Sequence, residues 1–494
     1  MKNIQTTLQP VAAALLLAFG AAAANATTIV ITSRDPAGVG FNDPTPVDPV
    51  GGNPGTTLGE QRFNVYRHVA DIWQQAIDSP VPIVVSAGWE ALTCTATSAV
   101  LGSAGAWNIW HDFPGGVPGT WYPQALANKI AGVNLSAGVP DDGSGYGNVD
   151  IKTQFNVNLG KTDCLAGSPF YLGLDGLAGT KVNFATTLLH ELGHGLGFSV
   201  LSVQTSTGLR ISADGSVYSV DGLPSIWEGF MYDNTAAKTW LVMTPTERKN
   251  SAINPLKLAW IGSNGVAGAL ATLGPTPGIK ISTPVPGVSG FYDYNTASFG
   301  PAVSNPGGLG TLANIAPANP AGQGCTAFSA ADAAAVAGKI AIIDRGTCGF
   351  AVKTKNAQNA GAIGVVIANN AAGAPPGLGG TDATITIPTI SVSQASGVTL
   401  KQAVIDAVKY GSRGKPGTVA GVLNLDASRR AGADPAGRPL LYTPNPLVGG
   451  SSVSHWDVSA FPNLLMEPSI NSDLTTLLVP PKDLTVPLFK DLGW

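Results

Sequence analysis

The chain has 494 residues, too many for one compact core, so two or three domains are expected. Charged residues make up only 12% of it, against 62 Gly and 37 Pro, a balance that suits loop-rich, strand-containing exported proteins better than helical cytosolic ones. The net charge of −4 and the lack of a long basic run argue against a nucleic-acid partner.

Met1 to Ala26 reads as a secretory leader. Lys2 supplies the basic start, Val11 to Phe19 the apolar run, and Ala24-Asn25-Ala26 the small-residue cleavage site. That run is too short to span a bilayer, which takes about twenty apolar residues, and no later stretch is long or apolar enough. The mature protein is expected to be soluble and exported, either secreted or periplasmic. Thr28 to Thr32 is β-branched and reads as a strand, followed by a Pro/Gly/Asp-rich loop from Asp35 to Thr56. Thr57-Leu58-Gly59-Glu60 has the form of a capping box, and Val65, Val69, Ile72, Trp73 and Ala76 then recur at helical spacing, with His68 on the flank. Pro82 to Ser86 is a further strand. His111, in Trp110-His111-Asp112-Phe113, reads as a surface or substrate-side residue. The stretch from Asp141-Asp142-Gly143-Ser144-Gly145 to Asp150 has the look of a calcium loop. It lacks the alternating carboxylates and terminal Glu of an EF-hand, so a solvated turn is the better reading and calcium the weaker alternative. Asp150 to Asn158 reads as a strand.

Four Cys suit an oxidising compartment. They allow three pairings, of which proximity favours Cys94–Cys164 and Cys325–Cys348, and no C-x-x-C pair is present to suggest a Cys-bound zinc cluster.

Thr187-Leu188-Leu189-His190-Glu191-Leu192-Gly193-His194 holds an H-E-x-x-H motif behind apolar residues suited to a buried helix. Residues four apart share a helix face, so His190 and His194 can bind one metal ion. Glu191, one step round, can reach an activated water without occupying the metal. Catalytic zinc normally takes three protein ligands. Gly197 stands where the longer metzincin motif H-E-x-x-H-x-x-G-x-x-H wants its glycine, but Val200 replaces the third His. The remaining candidates are His68, His111 and His455, with Glu228 in Trp227-Glu228-Gly229-Phe230-Met231-Tyr232-Asp233 as a rival ligand from another zincin pattern.

Ser454-His455-Trp456-Asp457, followed by Leu464-Leu465-Met466-Glu467-Pro468, resembles the leishmanolysin-like branch of the metzincin zinc peptidases. In that family the third His is displaced far downstream, is followed by Trp, and precedes a Leu-Met-x-Pro methionine turn. The resemblance implies His455 as the third ligand and Met466 as the packing residue of the Met-turn. It also implies that strand, helix and strand begin the catalytic half, and it makes Asp150 to Asn158 a candidate for the antiparallel edge strand beside the substrate. The Tyr that some metzincins carry two residues after this Met is replaced by Pro468.

Between His194 and His455 the rhythm changes. Pro275-Thr276-Pro277-Gly278 and Pro284-Val285-Pro286-Gly287 punctuate the chain like a boundary. Lys339 to Ile343 then reads as a strand, Asp344-Arg345-Gly346-Thr347-Cys348-Gly349 as a turn, and Phe350 to Ala360 as a helix ended by Gly361. Ile363 to Ala368 and Ile387 to Val392 read as strands, and Gln394 to Val408 as a helix. No G-x-G-x-x-G follows the first strand, which removes a nucleotide-binding reading. The run from Gly338 to Asn370, with the Ile-Pro-Thr strand, resembles the protease-associated domain, a non-catalytic module that implies a role in substrate access or partner binding.

The expected architecture is therefore α+β, a metzincin-like zincin catalytic domain (mixed sheet plus active-site helix) interrupted by an α/β protease-associated domain. Its parts are a leader at 1–26, a catalytic first part at 27–280, the insertion at 281–425, and a catalytic second part at 426–494. The last part ends in Asp491-Leu492-Gly493-Trp494, whose apolar ring is expected to dock on the catalytic core. The expected activity is hydrolysis of peptide bonds in protein or peptide substrates, with one Zn2+ held by His190, His194 and His455 and a zinc-activated water with Glu191 as general base. The alternative is a non-catalytic exported zinc-containing protein that uses the inserted domain for recognition.

Overall fold

The computed structural model describes residues 27–138, 148–304, 307–314, 322–371, 375–412, 414–471 and 473–494. The leader and the loop from Asp141 to Gly145 lie outside these residues. The described chain divides into two compact units, one running to Gly197 and including Gly493–Trp494, the other comprising Phe198–Leu492. Among the described residues, no helix is long and apolar enough to cross a membrane.

The first unit starts with β1 (Ile29–Ser33), α1 (Leu58–Ala76) and β2 (Ile83–Glu90). The capping box forms as expected, with Glu60 N–H donating to Thr57 Oγ1 at 3.1 Å and the Glu60 carboxylate accepting from Thr57 N–H at 3.2 Å. Val65, Val69 and Trp73 are fully buried on the inner face of α1, and His68 sits half-buried beside them. β3 (Gly102–Ala106) and β4 (Ile151–Asn156) complete a sheet of order β1-β2-β4-β3, and α2 (Phe184–Leu196) is the helix that follows it in the chain. β1, β2 and β4 are parallel, while β3 runs antiparallel to β4 with Ala104 opposite Thr153. The 150–158 segment is thus an inner strand rather than the antiparallel edge. Its Thr153 and Phe155 are buried against Tyr66 of α1, Phe155 also against Phe184 of α2, and the edge position falls to the Gly- and Ala-rich β3.

The second unit contains an eight-stranded sheet. Its strands are β5 (Pro275–Ser282), β6 (Gly290–Tyr292), β7 (Tyr294–Thr296), β8 (Gly307–Asn314), β9 (Ile340–Asp344), β10 (Gly364–Ala368), β11 (Thr389–Val392) and β12 (Ala420–Arg430). They lie in the order β6-β5-β12-β8-β9-β10-β11-β7. β8 to β11 are parallel and feed the helices α3 (Phe350–Asn359) and α4 (Gln394–Ala407). A parallel sheet covered on both faces must be apolar on both. Accordingly Ile340, Ile342, Val366 and Ile390 join Leu400 and Ala403 of α4 in one core, while Ala341, Ile343, Val365 and Ile367 join Ala357 of α3 in the other. Gly361, just past α3, has φ +85, the left-handed conformation that ends a helix cheaply only as glycine.

β5 and β12 pair antiparallel from Ser282↔Ala420 to Pro275↔Arg430, so the chain enters and leaves this sheet side by side. The Pro275-Thr276-Pro277-Gly278 punctuation therefore lies inside a strand. Its prolines are tolerated because β5 gains its second neighbour, β6, only from Ile279 onward. Both disulfides form as proximity suggested, Cys94–Cys164 and Cys325–Cys348.

Candidate metal centre

In the first unit, α2 carries the H-E-x-x-H motif. Asn183 caps it by accepting from Thr186 N–H at 3.3 Å, and Thr187 Oγ1 donates back to Asn183 O at 2.8 Å. Phe184, Leu188, Leu189, Leu192 and Leu196 are all buried, so the helix is fixed by packing on nearly every side. Trp73 of α1 adds a bond from its indole N–H to Leu189 O at 3.3 Å. Gly195 lets the helix press on β4: a Cβ there would stand 2.3 Å from Ile151 Cγ2. Gly197 ends the helix at φ +120, against Pro123. The C-terminal ring docks here as well, since Trp494 Nε1 donates to Leu196 O at 3.0 Å and Lys129 Nζ to Gly493 O at 2.6 Å.

On this helix the Nε2 atoms of His190 and His194 stand 3.1 Å apart, their rings edge to face at 82°. Two nitrogens bound to one tetrahedral zinc at ~2.0–2.1 Å would be separated by about 3.3 Å, so the pair fits a shared ion. Glu191 is 9% exposed. Burial pushes its carboxyl up to about 8, against the opposing effect of a hydrogen bond from the Ala104 backbone N–H. Ala104 lies on the antiparallel edge strand β3, which brings that strand, rather than the 150–158 strand, to the motif's carboxylate.

In the second unit, His455 is buried and its Nδ1 lies 2.9 Å from Ser451 O. A proton on Nδ1 satisfies that carbonyl and leaves the lone pair on Nε2, the tautomer a metal ligand needs. Tyr442 N–H donates to His455 O at 2.9 Å, and Trp456 N–H donates to Met466 O at 2.8 Å, so the His-Trp segment and the Leu-Met-x-Pro turn are joined by backbone. Met466 is fully buried.

The other candidates are held elsewhere. Glu228 is fully buried, but its carboxylate accepts from Ser202 Oγ at 2.7 Å, Ser225 N at 3.0 Å and Arg210 Nε at 2.8 Å, which occupies both oxygens. Its role is to neutralise Arg210 and cap its own short helix. His111 Nδ1 lies 2.6 Å from Asp112 Oδ2 and its ring stands edge-on to Trp121. Asp150 points inward, accepting from Val84 N at 2.7 Å and Asn128 Nδ2 at 2.8 Å, with burial raising its carboxyl to about 6. Missed at the level of sequence were Ser454, which accepts from Val200 N–H at 3.1 Å, and the anchors of the methionine turn. Their signal is only their nearness to His455 and Met466.

Residues 309–400 match the PA domain family model, so the chain contains a PA domain. No curated protein matches the chain. Among solved structures it is similar to BSAP, a zinc aminopeptidase from Bacillus subtilis, with 20% identity and a TM-score of 0.21 over 41% of each chain. It is also similar to an aminopeptidase from Aneurinibacillus sp. strain AM-1, with 16% identity and a TM-score of 0.20 over 41% of this chain and 42% of that one. A third similarity is to the subtilisin-like protease Apa1 from the Antarctic psychrotroph Pseudoalteromonas sp. AS-11, with 21% identity and a TM-score of 0.21 over 31% of this chain and 34% of that one. The chain thus spans less than half the length of each.

Proposed function

We propose that this chain is an exported zinc-dependent endopeptidase in which His190, His194 and His455 hold one zinc ion. The observation that carries the reading is the 3.1 Å approach of His190 Nε2 and His194 Nε2 beside the buried carboxyl of Glu191. Support for His455 comes from connectivity. The chain leaving the motif helix packs Phe198 on Trp456, ring centroids 5.3 Å apart, and bonds Val200 to Ser454, so both neighbours of His455 are held by residues that closely follow His194. Three imidazole ligands, one short of a closed tetrahedral set, would suit catalytic rather than structural zinc.

Bound zinc supplies Lewis acidity, which polarises a peptide carbonyl, acidifies water and favours the ionised form of a neighbouring carboxyl. Glu191 takes the proton of the attacking water and returns it to the leaving amine nitrogen. The Ala104 hydrogen bond orients that carboxylate, and β3 offers an extended peptide a strand to lie along. In this reading the PA domain serves substrate selection. Both disulfides fit the proposed export.

The test is casein cleavage by the purified protein beside Glu191→Gln and His455→Ala, each with its zinc content. Wild type should cleave, Glu191→Gln should keep zinc and lose activity, and His455→Ala should lose zinc. Full zinc and full activity in His455→Ala would remove it from the ligand set. Zinc binding without cleavage of any protein substrate would favour a recognition protein instead.

A further inference from the structure

The methionine turn is pinned by two buried acids that the proposed chemistry does not use. Asp483 Oδ2 accepts from Leu465 N–H at 2.7 Å, and Glu467 Oε1 accepts from Leu464 N–H at 2.8 Å. The two residues before Met466 thus donate their backbone N–H groups to side-chain carboxyls that are each 2% exposed. Asp483 has a second task. Its other oxygen, Oδ1, accepts from Thr485 N–H at 2.7 Å and from the Thr485 hydroxyl at the start of the helix Thr485–Leu492. One side chain therefore ties the turn to that helix. Beside the turn, Asn463, Leu465, Leu474 and Asp483 line a cavity of about 100 Å³, so a turn released from its anchor has room to move.

We infer that Asp483 and Glu467 are positioning residues for the metal site, a role that rests on His455 being a ligand. They fix the turn carrying Met466 and, through the Met466 O bond to Trp456 N–H, the orientation of His455. A buried carboxyl suits this task because each of its two oxygens can accept, so one side chain can serve two sets of donors at once. An amide in its place turns one acceptor into a donor, which then faces a backbone N–H.

The experiment is zinc affinity by chelator competition, with kcat and KM on a peptide substrate, for wild type, Asp483→Asn, Glu467→Gln and Thr485→Val. Asparagine makes the same i,i+2 side-chain-to-backbone turn as aspartate, so Asp483→Asn should keep its Thr485 bond and fold while losing the Leu465 bond. Zinc affinity is expected to fall about 10-fold to 100-fold, the range seen when partners outside the ligand set are removed. With zinc saturating, kcat should stay reduced while KM stays near wild type. Thr485→Val, which removes the hydroxyl donor to Asp483 but keeps the Thr485 and Leu465 backbone bonds to it, should lower thermal stability and leave zinc affinity unchanged. A folded Asp483→Asn with wild-type zinc affinity and kcat overturns the positioning role. Should Asp483→Asn fail to fold by circular dichroism, Glu467→Gln decides the matter on the same readouts. Wild type that binds no zinc would instead overturn the metal-site reading itself.

Discussion

Val200 N–H donates to Ser454 Oγ at 3.1 Å across 254 positions of sequence. The first residue closely follows the H-E-x-x-H helix and the second immediately precedes His455, so one bond closes the long excursion through the PA domain. Ser454→Ala removes the acceptor and leaves a half-buried N–H unsatisfied, at a cost of about 1–3 kcal/mol. The expected result is a melting temperature lower by a few degrees and zinc affinity weakened severalfold by chelator competition. His68→Ala, on the flank of α1, should change neither.

The buried pair of Glu228 and Arg210 supplies a second test, because it separates stability from metal binding. Glu228→Gln keeps the shape but leaves the Arg210 guanidinium without its carboxylate, 2.7 Å away in the native pair. Removing one partner of a buried pair costs about 3–5 kcal/mol. Arg210 keeps a bond to Trp240 O at 3.0 Å, which places the expected loss at the lower end. Urea unfolding should show it, while zinc content stays at the wild-type value. A folded variant that loses its zinc would restore Glu228 as a ligand.

Much of this was legible from local pattern. The capping box at Thr57 and Glu60, the motif helix with its terminal Gly197, and the strand-helix alternation from Ile340 to Ala407 are written in spacings of a few residues. What pattern could not reach depends on pairing between distant segments. Nothing local distinguishes Gly102–Ala106 as the antiparallel edge from Ile151–Asn156 as an inner strand. Pro275 and Pro277 look like breakers until the one-sided pairing of β5 is known. Glu228 likewise looks as ligand-like as any carboxylate in sequence, and only its three donors show that it is spoken for.

The disulfides differ in the length of chain they close, 70 positions for Cys94–Cys164 and 23 for Cys325–Cys348. If loop closure in the unfolded chain sets their worth, the longer loop contributes about 4 kcal/mol and the shorter about 3 kcal/mol. The paired substitutions Cys94→Ala with Cys164→Ala should therefore cost more unfolding free energy than Cys325→Ala with Cys348→Ala, measured by denaturant titration. Equal costs would mean that something other than loop closure governs the loss.

Glu467 makes stability depend on pH in a direction opposite to an ordinary surface carboxylate. Burial, reinforced by the negative charges of Asp457 and Asp473, raises its carboxyl to about 7, against about 4.3 in an unfolded chain. Between these values the unfolded chain has released the proton and the folded chain retains it. Stability from this group is therefore fully present below about pH 4.3 and is lost as pH rises through about 7. Glu467→Gln carries no titrating proton, so its unfolding free energy should fall less than that of wild type between about pH 5 and pH 7. Denaturant unfolding at a series of pH values, on the zinc-free protein, checks this directly. Parallel curves for the two proteins would show that Glu467 titrates as an exposed carboxylate, and that the Leu464 bond does not depend on its protonation.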